Sequence, residues 1–136
     1  MKYRTYGSEV EYEPNAEDQV LKNKLHIKTL SEMNQAENRL LLRMYESLCL
    51  PEFQVLQLNT DVLMHWHYQW LGPLYEWAGQ LRTVHMSKGA FPFASAHLLP
   101  TLLHQYEQQF LFHYPRLPLY SLDELWVYLA QSHVEF

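Results

Sequence analysis

Apolar residues recur every three or four positions along two long stretches of this 136-residue chain, and this spacing restricts its fold more than any other feature. A repeat of that period places the apolar side chains on one face of an α-helix. The first stretch runs from Met33 to Leu48 and the second from Val62 to Trp77. Because 48% of the residues are hydrophobic, a packed core is available and a disordered chain is excluded. We predict a mainly α-helical domain.

Local signals mark the ends of further helices. The runs from Thr29 to Glu32 and from Ser121 to Glu124 have the form of a capping box, in which a hydroxyl and a carboxylate bind free N–H groups of the first turn. The predicted helices are a short one from Ala16 to Ile27, one from Thr29 to Leu48 that Pro51 prevents from continuing, one from Asn59 or Thr60 to Trp77 with a kink or a restart at Gly72-Pro73, one from Ser95 or Leu99 to Phe110, and one from Leu122 to Phe136. Tyr114–Pro118, with its two prolines, is predicted to be a loop.

A short β-favouring segment interrupts the helical pattern. It runs from Leu81 to Met86, is followed by a turn over Ser87–Ala90, and returns as a second strand over Phe91–Phe93. Gly79, just before it, suits the left-handed position that closes a helix. Since two strands alone are marginally stable in water, we expect this hairpin to lean on the helices.

The N-terminal residues differ in character from the rest. Residues 1–16 are acidic, with Glu9, Glu11 and Glu13 close to Pro14, and offer little that could form a core. We interpret 1–16 as a flexible segment and 17–136 as the folded domain.

Composition excludes several classes of protein. The net charge is −5 and no cluster of basic residues is present, so we expect no nucleic-acid partner. No apolar run reaches about 18 residues, so we expect no membrane span. Cys49 is the single cysteine and cannot form an internal disulfide, which favours a reducing, cytoplasmic setting. His65 and His67 lie about 200° apart on a helix and cannot chelate one ion from it, so we predict no metal site.

The run from His67 to Arg82, HYQWLGPLYEWAGQLR, closely resembles a segment of the Fic (filamentation induced by cAMP) family. There a helix of pattern H-R-x-L-F-x-D-I-Y-x-W-A-G-x-(I/L)-R leads into a β-hairpin called the flap. Two departures are Tyr68, where a basic residue is common, and Gly72-Pro73, which replaces a turn-and-acid pair. The family positions matched are His67, Trp77, Ala78, Gly79 and Arg82, and the flap positions are Thr83, Val84, His85, Met86, Ser87, Lys88 and Gly89.

Weaker similarities extend the match over residues 17 to 136. Leu21–Ile27, followed by Glu37, resembles the family's N-(K/R)-L-x-I opening, and Leu129–Phe136 is similar to the helix that delivers its catalytic loop. Glu37-Asn38 faintly resembles an inhibitory signature, (S/T)-x-x-x-E-(G/N), although Met33 stands where that signature has a hydroxyl residue. The resemblance implies a Fic-like helical bundle with one small hairpin, whose C-terminal helices we expect to be missing from these residues.

The resemblance also implies a chemistry. Fic enzymes transfer AMP from ATP, with Mg²⁺, to Ser, Thr or Tyr hydroxyls of target proteins. They use a motif H-x-F-x-(D/E)-G-N-G-R-x-x-R, in which the histidine is the general base and the glycine-rich stretch binds the phosphates. Residues 1–136 contain no such run, and the catalytic histidine would follow shortly after Phe136. We therefore predict no catalytic residue and no bound cofactor in this chain, although ATP and Mg²⁺ are implied for the intact family.

Two functions remain open from the sequence. The first is the N-terminal part of a protein adenylyltransferase, inactive in this form. The second is a non-catalytic module that binds a target protein through the flap, by pairing with an exposed edge at Thr83–Met86. In either case we expect exposed apolar faces on the last two helices and, through them, self-association.

Overall fold

The structure is a computed structural model and describes residues 3–6 (backbone only), 11–50 and 57–136. Within this part of the chain the fold is mainly helical, as predicted, with a small antiparallel sheet. The helices are α1 (Leu30–Leu48), α2 (Thr60–Leu71), α3 (Leu99–Gln109) and α4 (Leu122–Glu135), with 3₁₀-helices at Ala96–Leu98 and Leu111–Leu119. The strands are β1 (Tyr3–Tyr6), β2 (His85–Lys88) and β3 (Phe91–Pro92).

The core forms where α1 packs on α2 and on the turns that follow α2. Leu74 is the most deeply buried of its side chains, with none of its surface exposed. Burial of these residues supplies the main stabilisation of the domain, because each large apolar side chain removed from water contributes about 1.5–3 kcal/mol. The other buried members of this core are Val20, Met33, Leu71, Tyr75 and Ala78.

Hydrogen bonds from the first N–H groups to capping side chains explain where α1, α2 and α4 begin. Thr29 Oγ1 accepts a hydrogen bond from the Glu32 N–H, and Ser121 and Glu124 form the complete capping box that the sequence predicts. Asn59 caps α2, and the Glu107 carboxylate of α3 also accepts the Thr60 N–H at 2.7 Å. The Thr60 side chain, and then its N–H, lower the pKa of Glu107, and the N–H bond ties α3 to the start of α2. Pro51 lies outside the described residues, and α1 ends before it.

The predicted helix from Ala16 to Ile27 is wrong, since the structure has turns and extended chain there. Asn23 is the physical reason. Its side-chain amide donates to the Leu21 and Ile27 carbonyls, and its Oδ1 accepts the Ile27 N–H at 2.9 Å. These bonds satisfy backbone groups that a helix would otherwise pair, which is how Asn competes with helix formation.

Two further predictions need correction, one next to α2 and one between α3 and α4. The sequence predicts that this helix reaches Trp77 with a kink or a restart at Gly72-Pro73, but α2 ends at Leu71 and a series of turns follows. Pro73 has no N–H to donate, so the helical pattern cannot continue through it. The segment predicted as a loop around Pro115 and Pro118 is a 3₁₀-helix.

The N-terminal segment also contains pairing that the sequence did not predict. Residues Tyr3–Tyr6 form a strand on the hairpin, Tyr12 pairs with Leu21, and the Glu13 carboxylate is buried against the Asn23 N–H and the His26 ring. Residues 7–10 of this segment lie outside the described part of the chain. A domain boundary at residue 16 stays a prediction.

Much apolar surface remains exposed on α4, one of the two helices for which the sequence predicts an exposed apolar face, and also on the preceding 3₁₀-helix. Leu119 and Val134 are 83% and 80% exposed, and Trp126 is largely exposed as well. Two tyrosine hydroxyls hold α4 in place: Tyr106 of α3 donates to the Ser132 carbonyl at 2.9 Å, and Tyr128 of α4 donates to the Phe110 carbonyl at 2.7 Å. The last helix is therefore attached by a few specific contacts and leaves an apolar face uncovered.

Candidate functional site: a hairpin at the end of the second helix

A hydrogen bond between His67 and Gly79 sets the direction in which the chain leaves α2. The Gly79 N–H donates to His67 Nδ1 at 2.8 Å. A ring nitrogen that accepts a hydrogen bond carries no proton, so this His67 is neutral with its hydrogen on Nε2. Burial lowers the pKa of His67 and favours the same neutral form. His67 thus fixes the turn that ends in the predicted left-handed glycine, whose φ is 77°.

The W-A-G positions pack around this turn. Trp77 stacks on Tyr75 with a centroid distance of 4.5 Å and lies 6.0 Å from the His67 ring. Ala78 is buried in the core. At Gly79 a Cβ atom would meet the Tyr68 Cβ at 2.7 Å, so only glycine fits both the space and the backbone conformation. The motif residues therefore build the junction between α2 and the hairpin.

Arg82 clamps the base of the hairpin. Its Nη1 donates to the Val84 carbonyl at 2.8 Å, and its Nη2 donates to the Ala94 carbonyl on the other leg. Because a guanidinium presents its donors in a rigid planar fork, one side chain joins both legs at a fixed separation. The sequence identified Arg82 as a family position but gave no sign of this role, since the Ala94 carbonyl lies 12 residues further along the chain.

The hairpin itself is tighter than predicted. Ser87 and Lys88 belong to β2, where they pair with Pro92 and Phe91, and the connection is only Gly89-Ala90. Gly89 has a φ of 62°, the conformation expected at the first central position of a type II′ turn. This turn matches the twist of the two strands and gives the hairpin a defined tip.

The outer edge of β2 is occupied, contrary to the expectation of an exposed edge. His85 and Met86 pair with Tyr6 and Thr5 of β1, and the pairing continues to the end of β2. Thr83 and Val84 of the predicted edge precede β2 and belong to no strand. The sheet therefore has three strands in the order β1-β2-β3.

A contact between α1 and the turn after α2 was missed by sequence reasoning. The Tyr75 hydroxyl donates to Glu37 Oε1 at 2.8 Å, and Trp70 Nε1 donates to the Glu37 carbonyl at 2.9 Å. Burial, and then Glu37, raise the pKa of the Tyr75 hydroxyl. Glu37 therefore acts within the fold as an acceptor that anchors this turn, and its carboxylate is already engaged. A Glu and a Tyr separated by 38 positions give no local signal of such a pair.

Other candidate sites are few among the described residues. No group of three or more His, Cys, Asp or Glu side chains there could hold a metal ion. An open groove of about 620 Å³ lies beside the end of α3 and the start of α4, with Phe110, Tyr120 and Val127 among its walls.

No helix in the described parts of the chain is long and apolar enough to span a membrane. Self-association through the apolar face of α4 stays a prediction.

Comparison with known proteins identifies the fold. No protein-family model and no curated protein matches the chain. Among solved structures, it is similar to the N-terminal Fic domain of a VirB-translocated effector protein from Bartonella sp. AR 15-3, with a TM-score of 0.64, 21% identity, and coverage of 76% of this chain and 52% of that one. It is also similar to the N-terminal Fic domain of another such effector from Bartonella sp. 1-1C, with a TM-score of 0.61, 16% identity, and coverage of 71% and 51%.

These likenesses agree with the resemblance found in the sequence. The chain spans about half the length of the structures that it matches. At such low identities the likeness concerns the arrangement of helices and hairpin, and the residues built around His67, Gly79 and Arg82 show how this sequence produces it. The described residues adopt a Fic-type fold.

Proposed function

We propose that this chain is the flap-bearing part of a Fic-type adenylyltransferase domain and that residues 1–136 alone transfer no AMP. The observation that carries the proposal is the hairpin of β2 and β3, fixed to the end of α2 by the His67–Gly79 hydrogen bond and clamped by Arg82. A rigid strand held at one end of a helical body suits the docking of an extended segment by main-chain pairing.

The chemistry of AMP transfer indicates which groups this chain does not supply. That reaction needs a base for the acceptor hydroxyl, donors for the phosphates and a ligand for Mg²⁺. The run that supplies these groups in the resembling family, H-x-F-x-(D/E)-G-N-G-R, has no counterpart in the 136 residues. This chain therefore positions the target, and the reacting groups come from outside residues 1–136. The setting is the cytoplasm, where ATP is abundant and the exposed Cys49 thiol stays reduced.

Labelled ATP tests the proposal in two steps. Residues 1–136 are incubated with ATP labelled at the α-phosphate, Mg²⁺ and a cell lysate, and we expect no labelled protein. The coding sequence after the codon for Phe136 is then determined, and we expect it to encode the missing run. A chain extended through that run should label lysate proteins, and Arg82→Met should reduce the labelling because the hairpin loses its clamp. Labelling by residues 1–136 alone would refute the proposal.

A second function is favoured by one specific observation. Phe91, at the start of β3, is 66% exposed, and the neighbouring Phe93 is also exposed. Two exposed aromatic rings on a hairpin are typical of a protein-binding surface, since aromatic side chains dominate such contacts. On this hypothesis the chain is a non-catalytic binding module. The coding sequence distinguishes the two functions, because a binding module needs no run of the catalytic type after Phe136.

A further inference from the structure

The edge of β2 to which the proposed function assigns target docking is occupied by β1. All four residues of β2 pair with β1, in the antiparallel register Tyr3 with Lys88 through Tyr6 with His85. On its other side β2 pairs with β3 through Ser87 and Lys88, and the Phe93 N–H donates to the Met86 carbonyl at 3.0 Å. An edge binds one strand at a time, so a partner strand and β1 cannot occupy it together.

The contacts of β1 allow it to dissociate from β2. Among the described elements, β2 is the only one with which β1 makes extended contact. The chain that follows β1 is anchored separately, because the Glu11 carbonyl accepts the Lys22 N–H and the Glu13 N–H donates to the Val20 carbonyl, each at 2.8 Å. Release of β1 therefore breaks the β1–β2 ladder and leaves these anchors intact. Short strands that contact a single neighbouring strand open before the core does.

The residues of β1 are of the kind expected in a target segment of the proposed reaction. Its sequence is Tyr-Arg-Thr-Tyr, so three of its four residues bear hydroxyl groups, the class of group that the proposed reaction modifies. We propose that β1 is an intramolecular competitor: it fills the docking edge of β2, and a target segment pairs with His85–Lys88 only after β1 has left. The partner that fits this edge is an extended segment running antiparallel to β2. The inference rests on the proposed function for the identity of that partner as a target.

Proline substitution tests the competition in the full chain. The variant combines Arg4→Pro with Thr5→Pro. Consecutive residues of a strand point their N–H groups to opposite sides, so one of the two prolines removes a hydrogen bond to β2 in either orientation. The matched control combines Arg4→Ala with Thr5→Ala and keeps both N–H groups. Hydrogen exchange of the His85–Lys88 amides should become faster in the proline variant and stay near the wild-type rate in the control.

Peptide binding then measures the effect on docking. A synthetic peptide of residues 1–8 is titrated into isotope-labelled protein, and the amide shifts of His85–Lys88 are followed. If β1 is paired for about nine-tenths of the time, the proline variant should bind the peptide about tenfold more tightly than the wild type and the alanine control. Equal affinities in all three proteins, or no binding to the proline variant up to the solubility limit of the peptide, would overturn the inference.

The readouts separate this inference from the proposed function. Exchange rates and peptide affinity need no AMP transfer, so they can support the competition even if the extended chain fails to label any protein. Conversely, successful labelling combined with equal peptide affinities would refute the competition and leave the proposed function standing.

Discussion

Replacing Gly79 with alanine should destabilise the junction between α2 and the hairpin more than any other substitution there that adds or removes one methyl group. The φ of Gly79 is 77°, a left-handed conformation that costs an L-residue with a Cβ roughly 1–2 kcal/mol. The added Cβ would also lie 2.7 Å from the Tyr68 Cβ and 3.2 Å from the Met64 carbonyl oxygen. Both neighbours belong to the backbone or its first side-chain atom in α2, so they cannot rotate away, and overpacking of this kind costs typically about 1–3 kcal/mol.

Together these terms lower the free energy of unfolding by about 3 kcal/mol, a large part of a total of about 5–15 kcal/mol. Chemical denaturation followed by circular dichroism measures the change directly, and thermal denaturation should show a Tm lower by about 10 °C. The Gly79 N–H also shifts away from His67, so the pKa of His67, followed by NMR, should rise towards its ordinary value.

Gly89→Ala is the matched control, because Gly89 also has a positive φ, 62°, but lies at the exposed tip of the hairpin. We expect it to cost only the conformational part, about 1 kcal/mol. If Gly79→Ala costs no more than Gly89→Ala, the close approach of Gly79 to α2 does not constrain the fold and the reasoning is refuted.

Three further predictions concern single side chains. Leu74→Ala should lower the free energy of unfolding by about 3–5 kcal/mol in denaturant titrations, since Leu74 is completely buried, whereas Leu119→Ala, at an 83% exposed position, should change it by less than about 0.5 kcal/mol. Burial lowers the pKa of His67 from 6.5, so the unfolded state binds a proton at a higher pH than the folded state does. The contribution of His67 to stability is therefore complete above pH 6.5 and is lost as the pH falls from there towards the folded-state pKa. His67→Gln should flatten that part of a profile of the free energy of unfolding against pH. Arg82→Met should speed hydrogen exchange in the hairpin and cost about 1–2 kcal/mol, whereas Arg39→Met on the exposed side of α1 should do neither.

The features that the sequence predicted correctly are local ones. The capping box at Ser121 and the left-handed Gly79 each depend on residues within one or two turns of the chain, and both are present. The stripe from Met33 onwards likewise produces α1, because its spacing alone decides which face is buried.

The features that were missed depend on distant partners or on a competing local bond. Strand β1 pairs Tyr3 with Lys88, and no short pattern signals a pairing over such a separation. The helix expected from Ala16 was overestimated because apolar spacing was weighed without Asn23, whose side chain binds its own neighbours. At the candidate site, the motif positions were found but the clamp made by Arg82 was not.

The short stretch between Leu71 and Gly79 has a consequence for how sequences of this fold can vary in length. Lys24 donates from its backbone to the Leu74 carbonyl and from its side chain to the Gly72 carbonyl, while Glu37 accepts from Tyr75. Two distant parts of the chain thus bind the same seven residues between Leu71 and Gly79, so inserting or deleting one residue there would misalign both sets of bonds at once. We expect natural relatives to keep this interval constant and to accommodate insertions in exposed connections instead.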